Sequence, residues 1–194
     1  MASRDFAYLV GCLDEVMRLR NEPVRSISMV RPILEEIIGQ RLIEPKFLKP
    51  LPQKPAAYLV YRPPDGAFSI VSMVWGPGMA FPVHDHLAWG LIGVLKGCVN
   101  ETRYRRVDDG AQEGYAELEE LGSKEFDEGK ILEEGLVFDE KRRQDIHRLG
   151  NSYDSVSVSI HILATDVGTK HRNQYDLKNK RVLRFISGYD TPEE

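Results

Sequence analysis

The residues best suited to chemistry are histidines, and the chain has only five. The densest signal lies in GPGMAFPVHDHLAWGLIGVLKG, residues 76–97, where His84 and His86 stand two apart. On a strand, that spacing puts both imidazoles on one face, close enough to share a metal ion. A bare His-x-His can equally be two unrelated histidines. The flanking Gly78 and Gly97 and the later His147 shift the weight towards a site. A further histidine, His161, lies in SVSVSIHIL, where Ser155, Ser157, Ser159, His161 and Leu163 share one strand face and Val156, Val158, Ile160 and Ile162 the other. His171 has no motif around it and reads as a loop residue.

These side chains need a scaffold. The chain has 194 residues, enough for one sizeable core, and the expected organisation is a single domain over 1–194. Residues 1–45 read as helical, with Phe6, Leu9, Val10, Leu13 and Val16 at helical spacing. A second helix is expected to start near Pro32, carry Ile33, Leu34, Ile37 and Ile38, and end at Gly39. Residues 45–55, rich in proline, read as an extended connector. From Tyr58 the period becomes strand-like. YLVY and FSIVSMVW flank a PPDG turn, and LIGVLKG and CVNETRYRR follow. The acid-rich run 113–140 is expected to form exposed strands with one wet face, punctuated by Leu118, Leu121, Ile131, Leu132, Leu136 and Val137. Many short strands with frequent turns predict a mainly β sandwich or barrel over 46–194, with the helices packed on it.

Composition narrows the function classes. With 42% apolar and 29% charged residues, the chain reads as soluble and globular. Lysine plus arginine number 26 against 30 acids, a net charge of −4, which argues against a general nucleic-acid binder. No apolar stretch approaches a membrane span, and the N-terminal stretch interleaves acids with its apolar residues, unlike a signal peptide. Cys12 and Cys98 show no framework spacing and read as reduced thiols, so a cytoplasmic location is expected.

The glycine-flanked His84-x-His86, with His147 and Asn151 in QDIHRLGN, resembles the two motifs of the cupin superfamily. The resemblance implies a double-stranded β-helix, or jelly-roll barrel, and a metal held by His84, His86 and His147. Gly90 stands where the first motif has its glutamate, so no carboxylate joins the set. HDHLAWGLIGVLKG, QDIHRLGN, SIH at 159–161 and FISGY at 185–189 further resemble the thiol dioxygenases, over roughly residues 55–190. These three-histidine iron cupins include cysteine dioxygenase, and the bacterial 3-mercaptopropionate dioxygenase branch is the nearest.

That resemblance implies Fe(II), a small thiol and dioxygen as partners, and a sulfinate product. Three neutral imidazoles leave the metal its full charge and open positions; the same ligands suit zinc, and only the resemblance selects iron. Ser159 and His161 match the family's Ser-x-His-x-Tyr relay. Arg172 matches an arginine that binds the substrate carboxylate. Tyr58 and Trp89 are candidates to line the pocket. Two positions depart from the pattern: Leu163 stands where the relay has tyrosine, and Ala57 where relatives carry arginine or glutamine, with Arg62 nearby. Both remove polar contacts and imply an altered substrate choice. With Gly90 and Leu163 in place of a cysteine and a tyrosine, no Cys–Tyr crosslink is expected. Competing readings are a three-histidine dioxygenase acting on a non-thiol chelator such as a diketone, and a non-catalytic small-molecule-binding cupin. A monomer or a homodimer is expected, with neither nucleic acid nor membrane as partner.

Overall fold

The computed structural model describes residues 5–19, 22–134 and 145–192. Leu136 and Val137, expected in the acidic strands, lie outside these residues. Helix α1 (Phe6–Arg18) starts at Asp5, whose side chain accepts a hydrogen bond from the Tyr8 amide. Its buried stripe is Leu9, Val10, Leu13 and Val16, as the spacing predicts. Helix α2 (Pro23–Gly39) begins nine residues earlier than expected. Pro32 is exposed inside it, and Pro23 occupies the first turn. Ile27 and Val30 extend the stripe of Ile33, Leu34, Ile37 and Ile38 into one buried face. Burying each such side chain is worth about 1.5–3 kcal/mol. Several of them together offset the roughly 3 kcal/mol of an internal proline. The connector is not wholly extended, because Pro45–Leu48 form a 3₁₀ turn.

Ten strands follow. Those of the first sheet are β1 (Ala56–Tyr61), β2 (Ser69–Trp75), β3 (Gly90–Lys96), β6 (Ile131–Glu134) and β8 (Ser157–Leu163), in the order β1-β2-β8-β3-β6 with every neighbour antiparallel. The second group holds β4 (Cys98–Arg106), β5 (Leu118–Asp127) and β7 (Ile146–Gly150), ordered β5-β4-β7. A third pair is β9 (Arg172–Asp176) with β10 (Arg181–Phe185).

The histidine segment joins the last two groups. The His84 amide donates to the His147 carbonyl at 2.9 Å, and the His147 amide returns a bond of 2.9 Å. On the other side, the Tyr175 amide donates to the Val83 carbonyl at 2.8 Å and the Asp85 amide to Asn173 at 3.1 Å. Residues 80–85 thus act as a strand between β7 and β9, although they are too irregular to form a regular one.

The first sheet is buried on both faces. Ile70, Val74, Leu91, Leu95, Val158, Ile160 and Ile162 pack with the two helices. Val71, Met73, Trp75, Ile92, Val94 and Leu163 face inward with Val99 and Leu149 of the second group. This is the cupin double-stranded β-helix with an N-terminal helical segment. The alternation along β8 is observed as the sequence predicts, with both its faces covered. β5 is exposed along most of its length, so much of the acidic run is a solvated surface. Among the described residues, no helix is long and apolar enough to cross a membrane.

Candidate metal centre

His84 and His86 project from the segment between β2 and β3, and His147 from β7. All three are buried, and their ligand nitrogens lie within 4.8 Å of one another. The Nε2 atoms of His84 and His86 are 3.2 Å apart. The His84 ring is oriented by its Nδ1–H, which donates to the Pro82 carbonyl at 2.8 Å and leaves a lone pair on Nε2. The His147 Nδ1 lies 3.0 Å from Glu101 and 3.3 Å from Glu134, both buried carboxylates. The His147 Nε2 and the His86 Nδ1 have no hydrogen-bond partner.

Three converging imidazoles, one with an orphaned inward nitrogen, fit a metal cation bound through neutral nitrogens. Burial, followed by the positive charge of His147, holds His84 and His86 well below the ordinary histidine range. Burial opposes the charged form of His147 as well, but Glu134 and Glu101 outweigh it and raise that histidine to about 9. A cation bound here would displace this proton, so its affinity would fall as the solution becomes acidic.

The His-x-His segment is tied down by buried acids. The Asp85 carboxylate accepts from the Asn173 amide at 2.9 Å, the Asn173 side chain at 2.8 Å and the Tyr175 hydroxyl at 2.8 Å. Asp145 accepts from the amides of His86 at 3.3 Å and Leu87 at 2.8 Å. Leu87 has a φ of 52°, in the left-handed region, which is costly for a branched side chain. Its amide bond to Asp145 and the Lys170 Nζ bond to its carbonyl hold it there. Asn151 lies beyond the metal ligands. Its side-chain nitrogen donates to the carbonyls of Trp75, Gly76 and Ser155, clamping the end of β7 to the end of β2.

A cavity of about 40 Å³ adjoins the histidines. On the same measure one water needs about 10–15 Å³, so the space suits a few non-hydrogen atoms. His84, His86, His161, Arg172, Leu163 and Ala57 all line it. His161 Nε2 is 2.9 Å from Ser159 Oγ, which also accepts the Trp75 indole N–H at 2.9 Å. The indole can only donate, so the serine proton is free to go to His161 Nε2. The other ring nitrogen, Nδ1, then carries the hydrogen. Burial, and then the charges of His147 and Arg172, pull His161 down to about 3, so its ring is neutral.

Arg172 is almost wholly buried. It donates through Nη1 to the Asp85 carbonyl at 3.2 Å and through Nη2 to Ser187 at 3.0 Å, and the Phe185 ring lies 4.7 Å from its guanidinium carbon. Its Nε has no partner. Burial pulls it down to about 10, which still leaves it charged near neutral pH. The structure places His84, His86, His161, Leu163 and Arg172 around this cavity, with His147 grouped with the first two and Ser159 bonded to His161.

Two expected pocket residues are elsewhere. Tyr58 is in the core on the helix side, with its hydroxyl on the Lys49 carbonyl and its ring beside Phe47. Trp89 also packs against that core. The preceding residue, Ala57, faces the cavity instead, and Arg62 is engaged with Asp166 away from it. His171 is exposed, as a loop residue should be.

Other site residues carried little signal in sequence. Tyr189 lines the cavity and donates its hydroxyl hydrogen to Asp166 at 2.7 Å. It fills the space over Gly168, where a Cβ would lie 2.2 Å from the ring. Only its place in FISGY pointed to it. Gly90 is required for a similar reason: a Cβ there would lie 2.5 Å from Leu163 Cδ2 and 2.7 Å from the Ile162 carbonyl oxygen. Leu163 thus occupies the space that a side chain at position 90 would need.

Fold and site together define a cupin barrel whose interior carries a three-histidine group able to hold a metal. The chain matches the cysteine dioxygenase type I family over residues 53–176, and it belongs to that family. Membership places it among dioxygenase-type oxidoreductases. Solved structures of similar fold include a double-stranded β-helix domain protein of Klebsiella pneumoniae, at 16% identity and TM-score 0.43, covering 62% of this chain and 85% of that one. A protein of Thermus thermophilus is similar at 16% identity and TM-score 0.44, covering 62% and 91%. A cupin 2 conserved barrel domain protein of Salinispora arenicola follows at 15% identity and TM-score 0.39, covering 56% and 74%. The family match, not these partial likenesses, carries the assignment.

Proposed function

We propose that this chain is an iron-dependent dioxygenase that adds both atoms of O2 to the sulfur of a small thiol carboxylic acid, giving a sulfinate. The observation that carries the reading is one small cavity lined both by inward-facing histidines and by a buried arginine with a free Nε–H. His84, His86 and His147 would hold Fe(II). When bound, iron supplies a Lewis acid that favours the thiolate and a centre at which dioxygen is activated. The overall change, thiol plus O2 to sulfinic acid, balances without an external reductant.

The protein's own groups divide the remaining work. Arg172 offers Nε–H to the substrate carboxylate, and its other two nitrogens are already braced by Asp85 and Ser187. Trp75 and Ser159 fix the His161 ring, so that its Nδ1–H stands ready to donate to an oxygen in the cavity. Val71, Met73, Leu149, Leu163 and Val167 exclude water from the site. Soluble, cytoplasmic protein, free of nucleic-acid or membrane partners, is the form in which this activity is proposed.

The test is oxygen uptake by anaerobically prepared, Fe(II)-loaded protein with a panel of thiol acids, including 3-mercaptopropionate, and products identified by mass. Uptake in a ratio of one O2 per sulfinate is expected; no uptake with any thiol would sink the proposal. The apolar lining at Leu163 and Ala57 also favours a second reading, in which the substrate is a diketone-like chelator. Turnover of such a compound, with thiols acting only as inhibitors, would select it.

A further inference from the structure

The three histidines differ in what their outer nitrogens meet. His84 has a backbone carbonyl, His86 Nδ1 has no partner, and His147 has two carboxylates. Glu101 comes from β4 and Glu134 from the end of β6, and their side chains are 3% and 1% exposed. Arg103 reaches them from the solvent side. Its Nε donates to Glu101 Oε2 at 2.9 Å, and its Nη2 lies 2.7 Å from the Glu133 carbonyl and 3.5 Å from Glu134. The Arg103 side chain is 41% exposed and borders a surface cleft with Arg31 and Lys124.

Two acids in one buried corner are a poor way to stabilise a fold. Apolar groups of similar volume commonly do as well or better there. Both carboxylates converge on a single imidazole nitrogen. A hydrogen bond from a ligand's outer N–H to a carboxylate fixes the ring and makes its inner nitrogen a stronger donor to a metal.

We propose, on the basis of the three-histidine metal site described above, that Glu101 and Glu134 are positioning residues for the metal. They hold His147 by its Nδ1–H, place negative charge behind it, and so make it the strongest of the three ligands. Arg103, bonded to Glu101 and beside Glu134 at the edge of the cleft, keeps them aimed at His147. A second cation held directly by Glu101, Glu134 and His147 is the competing use of the same atoms, which also lie within 4.8 Å of one another. The Arg103 guanidinium, already at their outer oxygens, weighs against it.

The test compares the full chain with Glu101→Gln, Glu134→Gln and the double variant. Fe(II) and Co(II) affinities are measured by chelator competition, Co(II) absorption is recorded, and metal per chain is counted. The double variant is expected to bind 10- to 100-fold more weakly, the usual effect of losing such a partner, with a shifted Co(II) spectrum. The single variants should fall between. Affinity within twofold of wild type and an unaltered Co(II) spectrum would overturn the proposal. Two metal ions per wild-type chain would overturn it in favour of direct carboxylate ligation. A wild-type chain that takes up no metal would sink the metal-site reading itself, and this proposal with it. If the double variant does not fold, Glu134→Gln is read by the same criteria, because it leaves the Arg103–Glu101 pair in place.

Discussion

Arg172→Gln separates substrate anchoring from scaffolding. In the native chain Nη1 and Nη2 each give one hydrogen bond, to Asp85 and Ser187, while the buried Nε has no partner and the residue lines the cavity. A hydrogen bond between charged groups is worth about 1.5–3 kcal/mol. At about 1.4 kcal/mol per decade, its loss should lower kcat/KM for a thiol carboxylic acid about 10- to 150-fold. The comparison that matters is a neutral thiol of equal length, with a primary amide in place of the acid. For that compound the same substitution should change kcat/KM by less than about threefold, because the lost group never met a charge. Initial oxygen uptake on both substrates, with iron content matched between the proteins, gives the two ratios. Metal-free melting temperatures report whether loss of the Asp85 and Ser187 bonds loosens the fold. Equal falls for the acid and the amide would refute the anchoring role and reduce Arg172 to a brace between β9 and the C-terminal segment.

Two further outcomes test the frame around the site. Asp85→Ala removes the acceptor for the Asn173 amide, the Asn173 side chain and the Tyr175 hydroxyl. Leaving those donors buried should cost about 3–5 kcal/mol in urea unfolding, with Asp85→Asn costing less; a loss below about 1 kcal/mol would show the carboxylate to be dispensable. His161 is held at about 3 in the folded chain, against about 6.5 when unfolded. The unfolded chain therefore binds the extra proton between those values. The stability this histidine contributes is present above pH 6.5 and is lost as the pH falls towards 3. In metal-free protein, His161→Asn should remove up to about 1.4 kcal/mol per pH unit from the acid limb, read as a difference between two stability curves. Parallel curves would contradict the neutral, buried assignment.

The legible part of the site was the part with a local signature. His84 and His86 declare themselves by spacing, and Ser159 and His161 by the alternation of β8. The face of β1 was harder to read. A strand covered on both sides lacks a polar face to fix its parity, and a slip of one residue exchanges Tyr58 for Ala57 at the cavity. Proline at position 32 misled for a related reason. Its local rule marks a helix start, but the buried stripe from Ile27 to Ile38 overrides it and leaves the ring on the exposed side. Glu101 and Glu134 could not be found from composition. Both lie among many charged residues, and only the pairing of β4 with β7 and β6 with β3 turns these two inward behind His147.

The mutual backbone bonds between His84 and His147 have a bearing on how such a centre can change over time. Because each residue is the other's hydrogen-bonded neighbour, their separation is inherited from the spacing of paired strands. Substitutions around them can alter what the cavity admits while that separation stays put. A deletion or insertion of one residue between 80 and 84 has the opposite character. It would rotate His84 to the other side of its strand and abolish the ligand set in a single step. Lineages carrying this pairing are thus free to drift in substrate at positions such as 57 and 163, but are closed to length variation between 80 and 84.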